Sequence, residues 1–201
     1  MRKTFPVLFI LLIGLMVCDD SGINFNVADG KWELIYQTND SLYYHSMFFL
    51  DENNGWIAGK SGSILSTQDG GKNWQYQTSG TNEYLYSVIF TDSENGWAVG
   101  RHNTVIRTRD GGTNWVTVDI EPDSNQCFYE VLFTDKQHGW LISNYGMVFS
   151  TQDAGETWNK VLSWPNGGAG LMHFIDDENG FILPAIGNIL CTTDDSGQTW
   201  S

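Results

Sequence analysis

The sequence predicts an all-β fold, a β-propeller of four-stranded antiparallel blades, on three observations. A Thr-x-Asp-x-Gly-x-(Asn/Thr)-Trp motif occurs four times in 201 residues, at 67–74, 108–115, 151–158 and 193–200, and its aspartates are 41, 43 and 42 residues apart. A second motif, Phe-x-Asp-x-x-x-Gly-(Trp/Phe), keeps step with it at 49–56, 90–97, 133–140 and 174–181. Eight of the nine tryptophans fall in frame, Trp32, Trp74, Trp115, Trp158 and Trp200 opening a fourth strand and Trp56, Trp97 and Trp140 a second; only Trp164 does not. A period near 40 residues marks a repeat architecture whose units cannot bury their faces alone.

The N-terminus precedes the repeats. Arg2 and Lys3 lead an apolar run over 5–17, too short for a membrane span and of the length of a signal-peptide core. Leu15-Met-Val-Cys18 follows and resembles a bacterial lipobox, with Val17 where a small residue is preferred. Residues 1–18 therefore read as a signal peptide with Cys18 as the lipidation site. Ordinary cleavage and an uncleaved anchor are the alternatives, and all three place the folded part outside the cytoplasm, with a lipid anchor as the membrane contact. Residues 19–31 read as a linker.

Within the second unit, short apolar and β-branched runs at 85–91, 97–100, 104–108 and 115–119 are each bounded by Gly, Asn or Asp, the mark of short strands joined by tight turns. No stretch of the mature chain keeps a helical period for three turns. The blades are expected at about 42–78, 84–119, 127–163 and 170–201, the last without its fourth strand. Either residues 32–36 close a four-bladed ring, or, as favoured, further blades are missing.

The motif Asp is expected to accept hydrogen bonds from unpaired N–H groups of the turn between the third and fourth strands. Gly71, Gly112, Gly155 and Gly197 would supply the backbone angles, and Trp74, Trp115, Trp158 and Trp200 would enter the core. Four equivalent aspartates are scaffold. Catalysis needs one asymmetric constellation, and a divalent cation needs several oxygen ligands in one place. No catalytic residue, metal site or cofactor is assigned. His45, His102, His138 and His173 are scattered, and Cys127 and Cys191 read as two buried thiols rather than a bridge.

This turn resembles the Asp-box of the BNR repeat, found in sialidases, sortilin-type receptors and many secreted propellers. The whole unit over 32–201 is most similar to the photosystem II assembly and stability factor family. That resemblance implies a propeller, usually seven-bladed, in a lumen or periplasm, and it implies little about function. The sialidase alternative needs three converging arginines, whereas Arg101, Arg107 and Arg109 all fall in one blade.

The formal net charge is −14, and two of the ten basic residues lie in the first three positions, so nucleic acid is excluded as a partner. The repeated turns occupy one rim of a propeller; the loops of the other rim vary between units, as a binding surface requires. Lys60, Arg101, His102, Tyr145 and Trp164 are its candidate binding residues. The expected partner is a protein complex of the cell envelope or membrane, or a glycan.

Overall fold

The computed structural model describes residues 43–120, 125–163, 170–176, 178–184 and 189–201. The expected signal peptide with Cys18, the expected linker, Trp32 and Trp164 lie outside the described residues. All described strands fall in the unit Ile35–Ser201. Sheet 1 comprises β1 (Tyr44–Phe49), β2 (Gly55–Gly59), β3 (Ile64–Thr67) and β4 (Gln75–Gln77). Sheet 2 comprises β5 (Leu85–Phe90), β6 (Gly96–Gly100), β7 (Val105–Thr108) and β8 (Val116–Thr117). Sheet 3 comprises β9 (Phe128–Phe133), β10 (Gly139–Ser143), β11 (Met147–Thr151) and β12 (Asn159–Ser163), and sheet 4 comprises β13 (Leu171–Phe174), β14 (Gly180–Leu183) and β15 (Cys191–Thr193). Strands pair in chain order and antiparallel in every sheet, which is the meander of a propeller blade.

The second motif is explained by close packing. The Phe90 ring lies over Gly96, where a Cβ would sit 2.5 Å from the ring, so only glycine fits opposite the aromatic. Phe49 over Gly55, Phe133 over Gly139 and Phe174 over Gly180 repeat the arrangement. Asp92 accepts the N–H groups of Glu94 and Asn95 at 3.0 and 2.9 Å and closes the intervening turn.

The sheets are joined by aromatic triplets. Each second-strand Trp packs its ring on the first-strand Phe of the next sheet: Trp56 stacks on Phe90 at 3.6 Å and Trp97 on Phe133 at 4.1 Å, and Trp140 lies tilted over Phe174 at 4.3 Å. That Phe meets its own motif Trp edge-on, at 5.9 Å for Trp115 and Trp158 and 6.0 Å for Trp200. Such pairs contribute about 0.5–1.5 kcal/mol beyond the area they bury. Three apolar cores follow, one per junction between sheets. Of the motif tryptophans Trp115 is buried, while Trp74, Trp158 and Trp200 are half-buried. Each precedes the fourth strand rather than opening it, because its ring turns back onto the Phe.

The first strands of successive sheets also bond directly. Ser46 Oγ accepts the Val88 N–H at 3.2 Å, and Ser87 Oγ accepts that of Val131 at 3.3 Å. At the third junction Glu130 takes the serine's place, its Oε2 accepting the Met172 N–H at 3.2 Å. Burial pushes the Glu130 carboxyl above its ordinary value, and the Met172 bond only partly opposes this. Both cysteines are free; Cys191 is buried and Cys127, at the start of β9, is only half-buried.

Candidate functional site

The Asp-box turns fully use their carboxylates. Asp110 Oδ1 accepts from Thr108 Oγ1 and the Asn114 N–H, both at 2.8 Å, and Oδ2 accepts from Asn114 Nδ2 at 2.7 Å. Thr108 Oγ1 in turn accepts the Gly112 N–H at 2.9 Å. Asp69, Asp153 and Asp195 repeat the network, with Asn73, Thr157 and Thr199 as the closing residues. The Asn73 side chain above all holds the Asp69 carboxyl down at about 2, and the Thr199 hydroxyl does the same for Asp195. Two successive residues in each turn have positive φ: Gly111 and Gly112 at 70° and 92°, but Ala154 and Gly155 at 57° and 70°, and Ser196 and Gly197 at 60° and 74°. Carboxylates so occupied are structural acceptors. Among the described residues no group of three or more His, Cys, Asp or Glu could hold a metal ion.

The opposite rim carries unlike residues. Three equivalent positions on β1, β5 and β9 hold His45, Tyr86 and Tyr129. Their rings form a ladder across three sheets, with centroids 5.2 Å apart for His45–Tyr86 and 4.8 Å for the stacked Tyr86–Tyr129 pair. Arg101 lies over this ladder. Its guanidinium carbon sits 4.4 Å from the Tyr84 centroid and 5.9 Å from that of Tyr86, and Nε donates to Tyr86 Oη at 2.6 Å. A cation over aromatic faces is attracted by the negative faces of the rings. Partial desolvation, then the Arg101 charge, lowers the His45 pKa. Burial also pushes the Tyr129 hydroxyl up.

The loop backbone repeats beneath these side chains. The N–H groups of Lys60, Arg101 and Asn144 donate to the carbonyls of Tyr43, Tyr84 and Cys127. Lys60 Nζ lies 5.6 Å from the Tyr43 centroid, matching Arg101 on Tyr84. At the third sheet Asn144 and Cys127 break the cation–tyrosine pattern. His102, at φ 52°, contacts Glu83 Oε2 at 2.7 Å through Nδ1. Tyr145 is exposed in the loop between β10 and β11. Lys60, Arg101, His102 and Tyr145 thus all stand on this rim. The structure ties the first three to neighbouring tyrosines or Glu83 rather than to one another.

The description "Photosynthesis system II assembly factor YCF48" matches residues 24–123 and 118–201. The chain belongs to the YCF48 family. No curated protein matches the sequence. Among solved structures, YCF48 from Cyanidioschyzon merolae is 19% identical with a TM-score of 0.65, over 82% of this chain and 57% of that one. A YCF48 bound to D1 peptide is 22% identical with a TM-score of 0.66, over 78% of this chain and 51% of that one. The chain therefore spans about half the length of the YCF48 structures it matches. The xyloglucanase of glycoside hydrolase family 74 from Xanthomonas campestris is 15% identical with a TM-score of 0.63, over 79% of this chain and 30% of that one. At these identities the likeness is one of fold.

Within this YCF48-family chain, sequence reasoning missed His45, Tyr43, Tyr84, Tyr86 and Tyr129. A signal existed: His45, Tyr86 and Tyr129 each stand four residues before a first-strand Phe. The loops drew attention because they vary, whereas these residues sit inside strands.

Proposed function

We propose that this protein is a non-catalytic, extracytoplasmic propeller that holds a peptide segment of an envelope or membrane protein complex during assembly. Photosystem II is one special case. The observation that carries this reading is the His45–Tyr86–Tyr129 ladder capped by Arg101. It offers rigid aromatic area and one fixed positive charge on an otherwise acidic protein, and aromatic residues and arginine dominate binding hot spots. Family membership and the D1-peptide complex of a related fold support a protein partner. The Arg2–Cys18 sequence supports an extracytoplasmic, lipid-anchored location.

An enzymatic reading of the sialidase kind has no support from the arginines. Arg107 and Arg109 both pair with Glu156 on the Asp-box rim, and Arg101 stands on the other. The test is a photo-crosslinking amino acid placed at position 129 of the full-length protein in its own host. A discrete adduct with a membrane or envelope protein is expected, lost on Arg101→Ala and absent when the label sits at position 76. No adduct from 129, or an adduct indifferent to Arg101, refutes the reading.

A further inference from the structure

The Asp-box rim also departs from its own repeat. Between sheets 1 and 2 it opens into a cleft of about 620 Å³, a volume typical of small-molecule sites. The corresponding junction between sheets 2 and 3 is bridged. There Arg107 and Arg109 reach across to Glu156. At the first junction the equivalent residues are Ser66, Gln68 and Thr113, which line the cleft and carry no charge. The equivalent places at the third junction hold Ser150, Gln152 and Gln198, likewise uncharged, so the ion-paired bridge is confined to the second junction and leaves the first open.

The lining selects the chemistry of an occupant. No lysine or arginine is among the lining residues, so an anion has no counter-charge. Asp110 spends its oxygens on Thr108 and Asn114, so a cation finds only Glu94 uncommitted. A peptide would need apolar pockets, and the apolar surface here is limited to the rings of Trp56 and Tyr76. What remains is a wall of amides and hydroxyls. Gln77 is anchored, its Nε2 donating to the Gly111 carbonyl at 2.9 Å and its Oε1 accepting from Trp115 Nε1 at 3.2 Å. Gln68 and Gln75 are exposed at the same cleft. A carboxamide presents a donor and an acceptor side by side, which matches two adjacent hydroxyls. Tyr76, 56% exposed, offers a ring face for C–H surface.

We infer that this cleft binds a neutral carbohydrate chain, contacting it through Gln68, Gln75, Ser66 and Thr113 with Tyr76 against a sugar face. This inference stands apart from the proposed protein partner, because the cleft and the Arg101 ridge occupy opposite rims. A neutral envelope glycan held on one rim leaves the other free.

The test is calorimetric titration of the full-length protein with cellohexaose, mannohexaose and chitohexaose, and with hexagalacturonate as an anionic control. At least one neutral hexasaccharide is expected to bind with a Kd below about 1 mM. The triple variant Ser66→Arg/Gln68→Arg/Thr113→Glu transplants the bridge of the neighbouring junction and should abolish binding. The gentler Gln68→Ala/Gln75→Ala pair, on exposed side chains, should weaken it about tenfold or more. Arg101→Ala should leave it unchanged. The inference is overturned if no neutral hexasaccharide binds at 10 mM (roughly the weakest detectable range), if only hexagalacturonate binds, or if binding survives both cleft variants.

Discussion

Gly155→Ala tests whether the Asp-box glycine serves its own turn or the neighbouring sheet. At φ 70° an added methyl carries the left-handed cost of an L residue, about 1–2 kcal/mol. A less flexible unfolded chain returns about 0.4–1 kcal/mol. The contact decides the rest. A Cβ on Gly155 would sit 2.3 Å from Trp97 Nε1 and 3.1 Å from its Cδ1. Trp97 is 2% exposed and stacked on Phe133, so the indole cannot swing aside, and overpacking of this kind costs about 1–3 kcal/mol. The expected total is about 2–3 kcal/mol.

Gly111→Ala is the control. Its φ is the same, 70°, and its nearest neighbour is the Ser93 carbonyl oxygen at 3.0 Å. The third sheet already carries Ala154 at the equivalent place, so the expected loss is below about 1 kcal/mol. Urea unfolding followed by tryptophan fluorescence gives both values at constant m. In melting temperature the gap is roughly 3–10 °C for a chain of this size. Trp97→Phe should recover much of the Gly155→Ala loss in a double-mutant cycle. Equal losses for the two glycines, or no coupling to Trp97, would show that backbone conformation alone requires the glycine.

Other expectations follow from charge and chemistry. Asp69 and Asp195 titrate at about 2 when folded against 3.8 unfolded, so the stability they confer is complete above pH 4 and lost as pH falls through 2; circular dichroism between pH 5 and 1.5 should show this acid limb, and a flat profile contradicts it. Glu130 has the opposite sign: its folded pKa is raised above 4.5, so its contribution is complete below that pH and declines as pH rises through the folded value. Glu130→Gln should therefore raise the urea midpoint more at pH 8 than at pH 4, and an equal shift at both refutes the titration argument. Cys18→Ser should abolish incorporation of labelled palmitate and release the protein from the membrane fraction; retained label rules out Cys18 as the lipidation site.

The motifs reveal the strands because each carries a steric reason in its own residues. Phe90 dictates Gly96, and Thr108 with Asn114 dictates Asp110, all within one blade. What depends on the neighbouring sheet was not legible. The 115–119 run shortens to Val116–Thr117 because Trp115 turns back onto Phe90. The Arg107 and Arg109 pairing with Glu156 crosses a junction, so no local spacing announces it. Cys127 is half-buried because it stands in the loop-facing slot that Tyr43 and Tyr84 fill in sheets 1 and 2.

A repeat protein can acquire a specific site only where its symmetry fails, and here it fails separately on each rim. On one, the cation–tyrosine pairs of Lys60 and Arg101 give way to Asn144 and Cys127. On the other, Arg107 and Arg109 bridge the second junction to Glu156, whereas Ser66, Gln68 and Thr113 leave the first open. The rims are separated by the length of a strand such as β6, five residues, or about 16 Å at roughly 3.3 Å per residue. Sites that far apart, with no shared partner, should act additively. Combining Arg101→Ala with Gln68→Ala/Gln75→Ala should therefore change crosslinking at position 129 and hexasaccharide affinity each by its single-site amount. A coupling above about 0.5 kcal/mol in either readout would mean that the blades transmit between rims, and that the scaffold is not the rigid body its repeated aromatic triplets imply.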